Sequence, residues 1–237
     1  MSTYISLTNE LLRRMGEVNM DSTEFDGARN VQALAKQAIN SSVKELMHSA
    51  QEWPFALVTG TQTLATDGTS VYSFPSSFSS VDWESFYLRQ LSSANNEPKR
   101  LSVMPYTQYL DQYRPKDDMS GAGGYGVPEA IYQTQDSKFG VTPPADQAYV
   151  IEYKYWTFPD DMVNSTDVCI VPTRFDNVII DGGMTYMMLY RSNEQSANIH
   201  RDRFEQGIKS MRRLLMDEPL SMRSTMIVPS SVPQRVK

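Results

Sequence analysis

Catalysis needs a titratable or nucleophilic side chain held against a partner, and this sequence offers few. There are two histidines, His48 and His200. Neither lies in a zinc-protease pattern, and no nucleophile elbow or Walker loop is present. Cys169 stands alone, so neither a disulfide framework nor a thiolate metal cluster is available, and folding in a reducing cytoplasm is expected. Gly121, Gly123 and Gly126 spell the dinucleotide-binding glycine pattern. That pattern works only when a strand feeds it and a helix follows, so that the helix N-terminus meets a pyrophosphate. Here Lys116-Asp117-Asp118 precedes it and Val127-Pro128 opens a strand after it, so a loop is expected and no cofactor. Asp117-Asp118 and Asp160-Asp161 are adjacent carboxylates of the kind that are solvated in loops, with no metal cage around them. The expectation is a protein that is not an enzyme and holds no metal.

The bulk properties agree with a folded, soluble chain. The 237 residues suffice for one large domain or two small ones, and 40% are hydrophobic, which allows a core. No stretch approaches the roughly eighteen apolar residues that span a bilayer. The opening residues MSTYISLTNELLRRMGEV have no basic start, apolar run or small-residue cleavage site, so no secretory leader is expected. A net charge of −6 argues against general nucleic-acid affinity, which needs many cations to displace phosphate counterions. Residues 199–237 carry eight basic and four acidic side chains, leaving −10 on the first 198. That basic end reads either as a solvated helix face or as a surface for an acidic partner.

The elements follow from periodicity. Leu7, Leu11, Leu12 and Met15 form one helical stripe over residues 5–16, ended by Gly16. Asp26 or a neighbour is expected to cap a longer helix whose face is Val31, Leu34, Ala35, Ala38, Ile39, Val43, Leu46 and Met47. Trp53-Pro54-Phe55 closes it, because proline disfavours helix at the residue before it. The texture then turns to Thr, Ser, Val, Tyr and Phe. Residues 59–65 and 70–74 flank Asp67-Gly68 and read as a hairpin. Further strands are expected over 81–91, 99–103, 129–134, 138–141 and 148–158, with a turn at Asn95-Asn96, a short helix over 105–113 and a glycine-rich loop over 120–126. In 148–158, Tyr149, Ile151, Tyr153 and Tyr155 alternate, which fits strand packing at least as well as a sugar-binding face.

Helical periodicity returns after Pro172. Phe175, Val178, Ile179, Tyr186 and Leu189 share a face, with Gly182-Gly183 inside the run. Two glycines there cost about 1 kcal/mol each relative to alanine, so close helix packing must compensate. A last helix over 194–216 carries Ala197, Phe204, Ile208, Met211 and Leu215. The fold class is α+β: a helical bundle from residues 1–56 and 172–218, interrupted by an antiparallel β insertion over 57–171. Residues 219–237 form a separate extended arm with three prolines and no acid. Ordering these 19 residues costs about 20–40 kcal/mol of backbone entropy. Burying their apolar side chains returns about 10–20 kcal/mol, so the free arm is expected to be mobile. Met184, Met187, Met188, Met211, Met216, Met222 and Met226 offer adaptable apolar contact surface, and core packing explains some of them equally well.

In order and spacing, several segments match one family. They are Glu52-Trp53-Pro54-Phe55, Val71-Tyr72-Ser73-Phe74-Pro75 leading to Phe78, and Gly126-Val127-Pro128-Glu129-Ala130-Ile131-Tyr132. Thr142-Pro143-Pro144 follows, then Tyr149-Val150-Ile151-Glu152-Tyr153, Phe158-Pro159-Asp160-Asp161 and Val171-Pro172-Thr173-Arg174-Phe175. Over residues 28–216 the chain resembles the head-to-tail adaptors of short-tailed bacteriophages, the tail-tubular-protein-A-like proteins. The resemblance implies a structural virion protein without catalysis, assembled in the bacterial host cytoplasm. Such proteins form a dodecameric ring below the portal protein, line the DNA channel without specific DNA binding, hold the tail nozzle protein below and often carry tail fibres. The helical bundle would build the ring, with Gly182, Gly183, Phe204, Ile208 and Met211 in its helix packing. The arm would reach the portal through Leu220, Met222, Arg223, Met226, Ile227, Val228, Val232, Arg235 and Lys237. The alternative is a carbohydrate-binding or other structural component of a phage tail.

Overall fold

The computed structural model describes residues 1–50, 52–90, 98–117, 124–134 and 137–216. Helix α1 (Tyr4–Arg14) buries Tyr4, Leu7, Thr8, Leu11 and Leu12. Gly16 takes a φ of 74°, where side chains are strained, and the Gly16 and Glu17 N–H groups bond the Arg13 and Leu12 carbonyls. These are the two bonds of a Schellman stop. The chain then straps back: Asn9 bonds both the N–H and the C=O of Met20 at 2.8 and 2.9 Å, and Phe25 drops fully buried beside Tyr4. Helix α2 (Val31–Ser49) follows, but not from the expected cap. Asn30, at φ 51°, precedes it without a side-chain cap bond.

After a 3₁₀ turn at Pro54–Ala56, eight strands among the described residues build two four-stranded sheets. They are β1 (Leu57–Thr63), β2 (Val71–Ser73), β3 (Phe78–Gln90), β4 (Lys99–Arg100), β5 (Ser102–Met104), β6 (Ala130–Gln133), β7 (Lys138–Thr142) and β8 (Tyr149–Thr157). One sheet runs β1-β8-β3-β4 and the other β2-β7-β6-β5. The expected β1–β2 hairpin does not form: β1 pairs with β8, and β2 with β7. The Asp67-Gly68 turn is real, with Gly68 at φ 91° and Asp67 accepting from the Thr69 N–H at 3.0 Å. It serves as a corner between sheets. The Tyr72 hydroxyl holds it, accepting from the Ala65 N–H and donating to the Thr69 carbonyl.

A second correction concerns strand direction. β5 and β6 are parallel, whereas every other named pair is antiparallel. A parallel pair needs a crossover, and the 25 residues between these strands contain helices α3 (Tyr106–Gln112) and α4 (Arg114–Asp117). Tyr109 of α3 stacks on Tyr132 of β6 with ring centroids 3.8 Å apart, which seats the crossover on the sheet.

Rings from both sheets fill the space between them. Phe139 of β7 lies 5.4 Å from Phe86 of β3 and 5.7 Å from Tyr153 of β8. Tyr149, Ile151, Tyr153 and Tyr155 are all buried, so these tyrosines are packing residues and present no aromatic platform to a sugar. Burial raises the phenol pKa of Tyr4, Tyr72, Tyr132, Tyr149 and Tyr153, because phenolate loses hydration there. The folded state therefore keeps protons that the unfolded chain releases near pH 10. The stabilisation is complete below about pH 10 and is lost as pH rises through the folded-state values. Ultraviolet phenolate titration should show a group of late-titrating tyrosines that ionise together with alkaline unfolding. Smooth titration of every tyrosine near pH 10 in an intact fold would contradict this.

Helices α5 (Asp176–Tyr190) and α6 (Glu194–Leu215) return to α1 and α2 and close a second core. The chain leaves this helical core at Ala56 and comes back to it at Trp156 and Phe158. The two crossings are neighbours, since Leu57 of β1 faces Trp156 of β8. The N-terminus is tied in beside them by a Thr3–Val168 bridge.

Candidate assembly surfaces

Helix α5 is wedged between α2 and α6, and its glycines set the distance. A methyl group on Gly182 would stand 2.9 Å from the Phe204 ring of α6 and clash with the Ser42 hydroxyl of α2. Ser42 is itself fully buried and donates to the Ile179 carbonyl at 2.7 Å. On Gly183 the added group would meet Leu11 and Ile39 at 3.2 and 3.3 Å. Phe204, Ile208 and Met211 are buried in the same core, so these five residues pack the chain's own helices. Met184 and Met187 are interior as well, whereas Met188 and Met216 are only partly buried against the core.

The face expected for α5 is corrected. Phe175 and Ile179 are buried, but Tyr186 and Leu189 are 38% and 42% exposed, and Tyr190 beside them is 61% exposed. The helix contacts neighbours on more than one side, so no single stripe describes its buried surface. Its last turns present an apolar strip to solvent, flanked by a groove of about 220 Å³ against Leu34 and Ser41 of α2. The Tyr186 hydroxyl donates to Glu45 at 2.9 Å. Burial and then that carboxylate push its pKa up to about 12. The outer side of α6 carries exposed Arg201, Arg203, Lys209 and Arg213, interspersed with Asp202 and Glu205.

The residues that first drew attention as chemical groups are dispersed. His48 bonds the Lys44 carbonyl within its own helix at 2.8 Å and packs on Phe158. His200 faces Asp181 at 3.1 Å, with Arg14 3.8 Å from the same carboxylate. Asp161 pairs with Lys44 on the surface. Cys169 is buried, and desolvation raises its thiol to about 11, well away from a reactive thiolate. Gly126 donates to the Pro144 carbonyl and is followed by no helix. Asp118, Gly121, Gly123 and the Asn95-Asn96 turn lie outside the described residues. Among the described residues, no three His, Cys, Asp or Glu side chains gather as a metal site, and no helix is long and apolar enough to cross a membrane.

One surface was not anticipated from sequence. Among the described residues β1 is the outer strand of its sheet, seven residues long, Leu-Val-Thr-Gly-Thr-Gln-Thr, without charge, proline or register shift. Its composition was visible, but its position at an edge depends on the distant β8. The nine residues of the arm expected to reach the portal, Leu220 to Lys237, all lie outside the described residues.

Comparison with known proteins adds one finding. A family model described as SU10 adaptor protein matches residues 2–228. No curated protein matches the chain.

Proposed function

The chain belongs to the SU10 adaptor protein family, and on that premise we propose that it is one subunit of the ring joining a phage portal to its tail. It is a structural adaptor protein of a phage and a component of the virion. The observation that carries the finer reading is the extent of the match, which takes in both cores and continues into the arm as far as residue 228.

In this role the chain changes no covalent bond, and its function lies in contact surfaces. A closed ring of identical subunits needs two different patches on each subunit, because the contact is head to tail. The apolar strip of Tyr186, Leu189 and Tyr190 supplies one of them. The arm from Pro219 onward, with Arg223, Arg235 and Lys237 and no acid, reaches the portal. The acidic balance of the first 198 residues suits a channel through which DNA slides, since few cations mean few phosphate contacts. The tail nozzle protein lies on the opposite side of the ring, tail fibres attach to it, and assembly takes place in the host cytoplasm.

The test is location. Antibody labelling or electron microscopy of purified particles should place the chain in several copies at the single tail vertex, between portal and tail. Finding it in the capsid shell, or as one copy at a fibre tip, would refute the ring.

A further inference from the structure

The outer side of α6 changes sign along its length. Asp202 and Glu205 temper its first half, whereas residues 206–214 hold Lys209, Arg212 and Arg213 and no acid. Lys209 and Arg213, four residues apart on the helix, share one exposed face. Bases in a last helical turn suit the helix dipole. Leu214 beside them has no such reason: it is 71% exposed and outside the chain's own core.

The strap between α1 and α2 carries the opposite charge. Residues 17–26 hold four acids and no base. The strap is fixed in place, since Asn9 clasps Met20, Phe25 is fully buried and the Lys36 ammonium donates to the Phe25 carbonyl at 3.0 Å. Asp21, Glu24 and Asp26 are exposed, and Val18 is 78% exposed. The Glu17–Arg191 ion pair ties the strap to the end of α5. Val18 and Tyr190 each stand one residue from that pair, so the strap continues the apolar strip of Tyr186, Leu189 and Tyr190. Among the described residues, none of Asp21, Glu24, Asp26, Lys209 and Arg213 is in an ion pair. The strap rests on α1 and α2, and α5 stands between α2 and α6. The two surfaces thus belong to different parts of the bundle, as the two halves of a head-to-tail contact do.

We propose that the C-terminal half of α6, through Lys209, Arg213 and Leu214, docks on the strap of a second copy of this chain, against Asp21, Glu24, Asp26 and Val18. The proposal rests on the ring reading and names the second patch which that reading requires. Exposed ion pairs add little affinity each, but charges that match in only one arrangement select it and steer the encounter. A strap facing a strap, or α6 facing α6, sets like charges together. Head-to-tail contact is therefore favoured over two-fold pairing, and the apolar side chains at Val18, Leu214 and Tyr190 hold it.

Charge reversal tests this in the full-length protein, with sedimentation velocity at low salt as the measurement. One double variant is Asp21→Lys with Glu24→Lys, the other Lys209→Glu with Arg213→Glu, and all four side chains are exposed. Each variant alone should self-associate at least about tenfold more weakly than the unaltered chain. An equimolar mixture of the two should recover the unaltered strength, because every contact between unlike variants again joins opposite charges. A mixture that associates no better than its components would overturn the proposal, as would variants that associate as the unaltered chain does. Independently of any variant, association of the unaltered chain should weaken as salt rises from about 50 to about 500 mM, and indifference to salt would count against charge selection. If the α6 variant lost retention on double-stranded DNA while its self-association held, the face would belong to nucleic acid and the proposal would fall. None of these outcomes depends on where the protein sits in the particle, so the ring's location is decided separately.

Discussion

Replacing Trp53 with alanine should lower the unfolding free energy by about 3–5 kcal/mol, the range for deleting a large buried aromatic side chain. Trp53 is fully buried in the helical core, stacks on Phe55 with centroids 5.5 Å apart, and donates its indole N–H to the Leu46 carbonyl at 3.1 Å. That carbonyl belongs to the last turn of α2, which has no further helix to bond it. The substitution thus opens a cavity and loosens a helix end at the point where the chain turns into β1. Against a typical total of about 5–15 kcal/mol, the loss is a large share. Trp53→Phe should cost less, about 1–2 kcal/mol, because most of the volume stays and the Leu46 carbonyl keeps the Ser49 hydroxyl at 2.6 Å. Chemical denaturation of the three proteins measures this. A wild-type midpoint for the alanine variant would show that the residue is not integral to the core.

Removing residues 219–237 should leave the fold intact and weaken binding to purified portal by at least about 100-fold, roughly 2.7 kcal/mol. Among the described residues the helical core is already filled by α1, α2, α5 and α6, with Met211 fully buried and Leu215 and Met216 packed against it. The arm's apolar side chains return less than the backbone order they would cost, so extra hydrogen bonds and contacts must come from the surface that receives them. Circular dichroism melting should change little, while retention on immobilised portal rings should be lost. A truncated chain that docks with full affinity would move the portal contact to the described body.

The helices were legible because their cause is local. The stripe of Leu7, Leu11 and Leu12 with its Gly16 stop, and the run from Ala35 to Met47, specify their elements within a few turns. Strand positions were legible for the same reason, and β6, β7 and β8 fall within a residue or two of their expected bounds. Strand partnership was not. Asp67-Gly68 makes a turn whatever its flanks pair with, and β1 and β2 go to different sheets because their partners, β8 and β7, lie far along the chain. The parallel β5–β6 pair depends likewise on a crossover whose seating on Tyr132 no local pattern announces. The α5 face misled because a helix packed between two others has apolar residues on several sides, and a two-class apolar/polar pattern groups amphipathic Tyr186 with Ile179. The glycines at 182 and 183 were better guides, since a costly residue inside a helix points to close approach.

The adjacency of the two chain crossings has a mechanical consequence. A force drawing the sandwich away from the helices would enter β1 and β8 at neighbouring points and run along both strands together. Because both strands are drawn from the same end and in the same direction, the hydrogen bonds from Leu57–Trp156 to Thr63–Val150 carry little shear, and the load passes on through the pairing of β8 with β3.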